Sequence, residues 1–345
     1  MLFGKYLRRY RVENELTQAQ AAIKLNLTGG DLANIDTVSL SRWERGTTKP
    51  TITRSIRVLR EFTNNLEPYL TELSHEQMQL NPVQERINQF DDVMEEKYNS
   101  LNSLVHRANY KTSLSQPHNL ICECPILSQC EQNVIQDIHN FHAQTSADNV
   151  IHGLQKIDLL DYCANNRLIA YKYVDSMTNN LLGHNIGAIF KSDSFESEVE
   201  SLDKKTINEI DLRKTTPYTP NKKLIFYSAS HHSLYKRPFR LQLHREFKYL
   251  AQRANITDYY TTVAVKSSVD LLKKMGFSFV AYEKRSPTGS IKIGKYNYSR
   301  AIMHIKTVDL LAQPEFMNLL TQCKICPSPC SISSTSCCQP ISYRT

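Results

Sequence analysis

Residues 39–50 read SLSRWERGTTKP and gather the groups best suited to recognising a polyanion. Arg42 and Arg45 carry guanidinium forks, and Arg42 in particular can meet guanine O6 and N7 with two hydrogen bonds. Arg45, Thr47, Thr48 and Lys49 supply donors suited to backbone phosphates, contacts that position a protein without reading sequence. Trp43, the only tryptophan of the chain, sits between the two arginines. In a surface helix it must face inward, which turns its polar neighbours outward. Elsewhere, His231 and His232 could act as bases. Lys236, Arg237 and Arg240, with Arg245 beyond them, could hold an anionic group.

Nine cysteines form a third set. Cys122, Cys124 and Cys130 make one cluster, Cys323, Cys326, Cys330, Cys337 and Cys338 another, and Cys163 stands alone. Cys323, Cys326 and Cys330 could give three thiolates to zinc or an iron–sulfur cluster, with Cys122 or Cys124 completing the set. A zinc ribbon needs two CxxC knuckles and only one is present, so no metal site is expected. The segment after Gln322 is rich in Ser, Pro and Cys, the composition of a flexible end.

The 345 residues suffice for two domains, and 41% hydrophobic with 22% charged residues is ordinary for a globular chain. No apolar run reaches the roughly 20 residues of a membrane-spanning helix, and MLFGKYLRRYR lacks the apolar core of a secretory signal. A cytoplasmic protein is expected. The net charge of +8 is uneven. Residues 1–65 hold eleven Lys/Arg against six Asp/Glu, whereas residues 66–108 hold three against eight. The basic block suits a nucleic-acid partner.

The basic block reads as four or five short helices. Leu7, Tyr10 and Leu16 mark the inner side of the first, and Thr17 caps the second, whose inner face is assigned to Ala22, Ile23 and Leu27. Asp36 can cap a third helix, with Leu40 and Trp43 facing in and Gly46 just past its end. A fourth presents Ile52, Ile56, Leu59 and Phe62.

LTQAQAA, SLSRWERG and the following Pro50 together resemble the lambda-repressor/Cro-like (xenobiotic-response-element) helix-turn-helix family over about the first 65 residues. The resemblance implies double-stranded DNA as partner, with the third helix at the major groove. It assigns Thr37, Val38, Ser39, Ser41 and Arg42 to the groove edge and Gln18 to a phosphate. Glu44 is implied to make an internal ion pair or cap. The chain departs from the family between Leu27 and Leu40, where an insertion containing Gly29 and Gly30 lengthens the turn.

Residues 83–107 place Val83, Ile87, Phe90, Met94, Tyr98, Leu101 and Leu104 on one stripe of a seven-turn amphipathic helix. The stripe suits either a dimer seam or packing against the C-terminal part. From residue 151 apolar runs and helical segments alternate, which predicts a mixed sheet with helices packed on it. That order, ending in LLKKMGF and a strand, resembles the GNAT acyltransferase superfamily over about residues 150–310. The resemblance implies a fourth strand that splays from the fifth, with an acyl-CoA in the gap and its pyrophosphate at the next helix N-terminus. Here the chain departs: HHSLYKRPFRLQLHRE has no glycine where the phosphate loop belongs, and Leu272 replaces the tyrosine used as general acid.

The expected architecture is multi-domain: an all-α helix-turn-helix domain (1–65), a connecting amphipathic helix (66–110), a mixed-sheet GNAT-like α/β domain (111–315) and a flexible Cys/Ser/Pro-rich tail (316–345). The expected function is a dimeric, sequence-specific transcription regulator whose C-terminal domain senses a small-molecule or acyl ligand or assembles the protein. The alternative is an acyltransferase using acyl-CoA or acyl carrier protein and tethered to DNA. An antitoxin-like or phage-repressor protein is a third reading.

Overall fold

A computed structural model describes residues 2–109, 121–125, 154–175, 178, 180–203 and 207–321. The chain begins with short helices: α1 (Leu2–Glu13), α2 (Gln18–Thr28), α3 (Thr37–Arg45), α4 (Ile52–Arg60) and α5 (Glu67–Gln77). Local chemistry sets their ends. Thr17 and Gln20 form a reciprocal capping box at α2. Asp36 accepts the Ser39 N–H at 2.7 Å to start α3. Gly46 stops α3 at φ 71°, a left-handed conformation that glycine adopts without a Cβ penalty.

The inner face of α2 differs from the expected one. Ala21, Ala22 and Leu25 are buried, whereas Ile23 and Leu27 are 59% and 83% exposed. The inserted turn is also ordered. Leu32 and Ile35 are buried, and the Asn26 side chain bonds both the N–H and the C=O of Ile35.

Residues 83–107 do not form one helix. α6 (Asn81–Asn99) and α7 (Leu101–Asn109) are separated at Ser100, whose ψ of 153° is extended. The Ser100 and Ser103 hydroxyls both donate to the Lys97 carbonyl, giving the backbone a local alternative to the helix ladder. The apolar stripe of α6, Ile87, Phe90, Met94 and Tyr98, is buried within the chain. Phe90 meets Phe316 edge-on at 6.1 Å, and Tyr98 lies 5.8 Å from Phe239. This stripe is therefore not free to form a seam between two copies.

The C-terminal part contains β1 (Ile121–Pro125), α8 (Leu159–Ala164), β2 (Leu168–Asp175), β3 (Leu181–Phe190), α9 (Ser192–Glu200), β4 (Leu224–Ser233), α10 (Lys236–Ala251), β5 (Ile256–Val263), α11 (Lys266–Lys274), β6 (Ser278–Tyr282), a β7–β8 hairpin (Ile291–Ile293, Tyr296–Tyr298), β9 (Ala301–Lys306), α12 (Thr307–Leu311) and α13 (Pro314–Thr321). Among the described residues seven strands pair in the order β1-β2-β3-β4-β5-β9-β6. Every neighbouring pair is antiparallel except β4–β5, which is parallel and joined through α10. β1, which carries Cys122 and Cys124 of the first cysteine cluster, is the edge strand beside β2. Residues 316–321, assigned to the tail, belong to the buried helix α13.

One sheet face packs on α8 and α9. The other packs on α10, α12 and α13, and its core continues into α1–α6. The helical N-terminal region therefore shares a core with the sheet. The join is also polar. Arg60 donates to the Leu250 and Ala251 carbonyls at 2.7 and 3.0 Å, closing the last turn of α10. Burial pushes its guanidinium down to about 9, still protonated at neutral pH. Arg86 grips the 5%-exposed Glu315 side chain with two bonds, and Arg57 lies between Asp31 and Asp309.

α1 crosses α3 at Gly4, where an added Cβ would lie 2.2 Å from the Trp43 carbonyl oxygen. Helix propensity alone favours alanine over glycine by ~1 kcal/mol. We expect Gly4→Ala to destabilise by roughly 1–3 kcal/mol in urea titration, because overpacking forces the two helices apart. A stabilised variant would show that this crossing yields.

Candidate functional site

α3 and its flanks present the first candidate site. Leu40 and Trp43 anchor the helix, 0% and 7% exposed. Phe3 packs edge-on against Trp43 at 6.0 Å, and the Arg54 guanidinium lies 5.4 Å from the indole ring. Glu44 turns inward: Arg11 holds both of its oxygens at 2.5 and 3.0 Å, and Gln18 donates to it at 2.9 Å. Gln18, expected at a phosphate, is thus fixed by the same carboxylate that fixes Arg11. Thr37, Val38, Arg42, Arg45, Thr47, Thr48 and Lys49 are exposed, while Ser39 and Ser41 are half-buried. The Arg45 Nε donates to the Ser41 carbonyl at 3.3 Å.

The second candidate site lies in the sheet. β4 pairs with β5 only from Leu224 to Ser228, opposite Ile256 to Thr261. Beyond that point β4 continues to Ser233 beside β3, and β5 continues to Val263 beside β9. The β3–β4 register shifts between Ile186 and Gly187, leaving Ala229 as an extra residue, and such a bulge bends its strand. Gly187 opposite is required by close approach, since a Cβ there would lie 2.1 Å from the Phe226 ring. Among the described residues, the strand order, the one parallel pair and its parting are the arrangement that the GNAT resemblance implies.

A cavity of about 220 Å³ opens where the strands part. Phe247 and Tyr259 form its floor beside Thr261 and His231, and Leu271 and Leu272 enter from α11. α6 adds Phe90, Met94 and Lys97, and α13 adds Phe316. Ala264 and Val265, exposed at the start of α11, form its rim. His231 Nε2 pairs with the Glu246 carboxylate, which is 2% exposed and also accepts from Ser228 at 3.5 Å. A carboxylate only accepts, so the pairing assigns the hydrogen to Nε2. His231 Nδ1 is buried without a hydrogen-bond partner among the described residues. His231 and His232 were both expected as candidate bases; the acid beside His231 is Glu246 of α10, the one acidic residue of an otherwise basic helix.

The cations expected to hold an anionic ligand are engaged by α6. Lys236 pairs with Glu95 at 2.5 Å, and Arg240 pairs with Asp91. The hydrogen bond from Lys236, with a second from Asn99, holds the Glu95 carboxyl below its usual range. Arg237 is half-buried in the same first turn. An acyl-CoA bound here would meet these pairs first. Its pyrophosphate would compete with two carboxylates already on the cations, at a helix start with no glycine and with Pro238 lacking a donor.

Of the cysteines, Cys163 is buried and free, and burial pushes its thiol up to about 12, far from thiolate chemistry at neutral pH. Cys122 and Cys124 lie on β1. Cys130, Cys323, Cys326, Cys330, Cys337 and Cys338 fall outside the described residues. Among the described residues no cluster of three or more His, Cys, Asp or Glu could hold a metal, and no helix is long and apolar enough to cross a membrane.

No protein-family model matches the chain, and no curated protein matches it in sequence. Among solved structures it is similar to Arabidopsis thaliana NAA60 in complex with acetyl-CoA, 14% identical over 54% of this chain and 98% of that one, with a TM-score of 0.34. It is also similar to the spermidine/spermine N-acetyltransferase SpeG from Vibrio cholerae in complex with manganese ions, at 14% identity over 56% and 95% of the two chains and a TM-score of 0.32. A probable acetyltransferase from Staphylococcus epidermidis gives 13% identity over 55% and 99%, with a TM-score of 0.30. Likeness this distant carries no argument about activity, and the site is read from its own geometry.

The two acid–base pairs between α6 and α10 hold one wall of the cavity in place. Removing them with Asp91→Asn and Glu95→Gln together should speed amide hydrogen exchange in α6 by about tenfold, with strand exchange unchanged. Unaltered exchange in α6 would mean that Phe90, Met94 and Tyr98 hold the helix without help from charge.

Proposed function

We propose that this chain is a sequence-specific DNA-binding regulator in which α3 reads the major groove and the GNAT-like C-terminal part serves as a sensor or assembly module. The observation that carries this reading is the division of labour on α3. Its acid is consumed internally by Arg11 and Gln18, while Arg42, Arg45 and Lys49 remain exposed on one end of the basic region. A helix that hides its carboxylate and displays its cations is electrostatically suited to DNA. In this reading Arg42 reads a base, Thr37, Val38, Ser39 and Ser41 line the groove edge, and Gln18, Arg45, Thr47, Thr48 and Lys49 approach phosphates. Two copies bind two half-sites, pairing through a surface other than the stripe of α6.

A second reading, an acyltransferase tethered to DNA, is favoured by one observation: the His231–Glu246 pair at the parted strands has the geometry of a base held by its orienting acid. The phosphate-binding features that reading requires are absent or already engaged, so it stands second. It is tested by thiol release from acetyl-CoA in the presence of amines. Release that His231→Ala cuts by roughly a hundredfold or more would promote it; no release above the protein-free rate would remove it.

Selection of genomic DNA fragments at physiological salt tests the first reading. Enrichment of one palindromic motif with half-sites about 10 bp apart, or a multiple, is expected. Arg42→Ala should cost ~1–3 kcal/mol and relax preference at one base pair. Equal loss on all sequences would make Arg42 a phosphate contact, and a monomer on a non-palindromic site in ultracentrifugation would sink the dimer.

A further inference from the structure

The cavity at the parted strands combines two features that chemistry rarely puts together. Its lining is dominated by aromatic and aliphatic side chains, among them Phe90, Phe247, Leu271 and Phe316. It also contains a lysine. The Lys97 ammonium lies 4.7 Å from the centre of the Phe239 ring, itself part of the lining, and 5.2 Å from that of Tyr98. Among the described residues no carboxylate lies within ion-pair distance of it, although Asp91 and Glu95 on the same helix are each committed to a cation of α10. Lys97 is half-buried, and desolvation there pushes its pKa down to about 8. Ring faces recover only part of that cost.

We propose that this cavity binds a compact apolar monocarboxylate, an aromatic or medium-chain carboxylic acid, with Lys97 as the counter-ion of its carboxylate. The apolar body takes the space between α6, α10 and α11, and the carboxylate supplies the partner that Lys97 lacks. Size limits the ligand. A cavity near 150 Å³ accommodates benzene, so about 220 Å³ suits roughly nine or ten non-hydrogen atoms. Lys236 and Arg240, the other cations of this region, already hold Glu95 and Asp91, so Lys97 is the cation of the lining that a single carboxylate would meet. Lys97 stands on α6, and α6 follows directly on the helices that carry α3. An ion pair formed there ties that arm to the sheet. The inference thus deepens the sensor reading by naming a ligand class, and it is tested without DNA so that the two stand or fall separately.

Calorimetry on the full chain would compare phenylacetate with phenylacetamide, which has the same number of non-hydrogen atoms and no charge. Phenylacetate is expected to bind roughly tenfold or more tightly, as befits a hydrogen-bonded charge. Lys97→Met, which keeps length and apolar stem, should erase that preference, and Leu272→Trp should abolish binding of both by filling the space. The acid–amide comparison uses the unaltered protein, so it decides even if a variant fails to fold. Equal binding of acid and amide, or binding of neither at about 10 mM, a level that would register even millimolar affinity, would overturn the proposal. So would displacement of phenylacetate by acetyl-CoA, which would assign the cavity to that ligand instead.

Discussion

A parallel strand pair that separates halfway leaves a gap in the sheet that other atoms must fill. Here β4 and β5 part after Ser228 and Thr261, beside the bulge at Ala229 and the Phe226 ring laid over Gly187. Apolar side chains cannot line such a gap beside open water without losing the contacts and burial that stabilise a core. The surrounding helices are arranged by that constraint. α10 covers the pair where it is closed, α11 flanks the opening, and α6 and α13 bring Phe90, Met94 and Phe316 over it.

α6 could reach the opening only because the N-terminal helices are anchored nearby. Arg60 satisfies the carbonyls at the end of α10, and the Leu66 N–H joins them at 2.9 Å. Glu67 takes Lys248 and Gln252, so the chain enters α5 already fastened to the sheet side. α5 then packs beside α13, whose Glu315 holds Arg86 at the start of α6. His244 ties α10 to α13 through the Leu319 carbonyl at 2.6 Å, and burial lowers its pKa. A linker by composition is a scaffold by contact.

The same logic separates the two ends of α6. Its acidic face meets the basic start of α10, so charges are matched in pairs, and half-exposed pairs of this kind each contribute little, up to about 1 kcal/mol. Its apolar face contributes far more, through two aromatic contacts and a buried methionine. Lys97 falls between these faces and has the environment of neither. A residue left over from two regular patterns is where a ligand has most to gain.

Much of this molecule was legible in its residues. Asp36, Leu40, Trp43 and Gly46 mark the start, inner face and stop of α3, because caps and periodicity act within one or two turns. Most strands of the sheet were legible for the same reason, each being a short run rich in β-branched and aromatic residues. Helix α2 was misread at Ile23 and Leu27 because its neighbours, not its periodicity, choose which apolar residues are covered. The break at Ser100 was missed because two serine hydroxyls outcompete a stripe that continues across them. The pairing of His231 with Glu246, the engagement of Lys236 and Arg240 by α6, and the isolation of Lys97 could not be read from spacing at all. The paired residues are 15, 141 and 149 positions apart, and Lys97 has no carboxylate partner among the described residues. Short-range order follows from chemistry that neighbours in sequence share. Which distant charge meets which, and which meets none, is decided only when the sheet has formed and the helices have been forced to cover its gap.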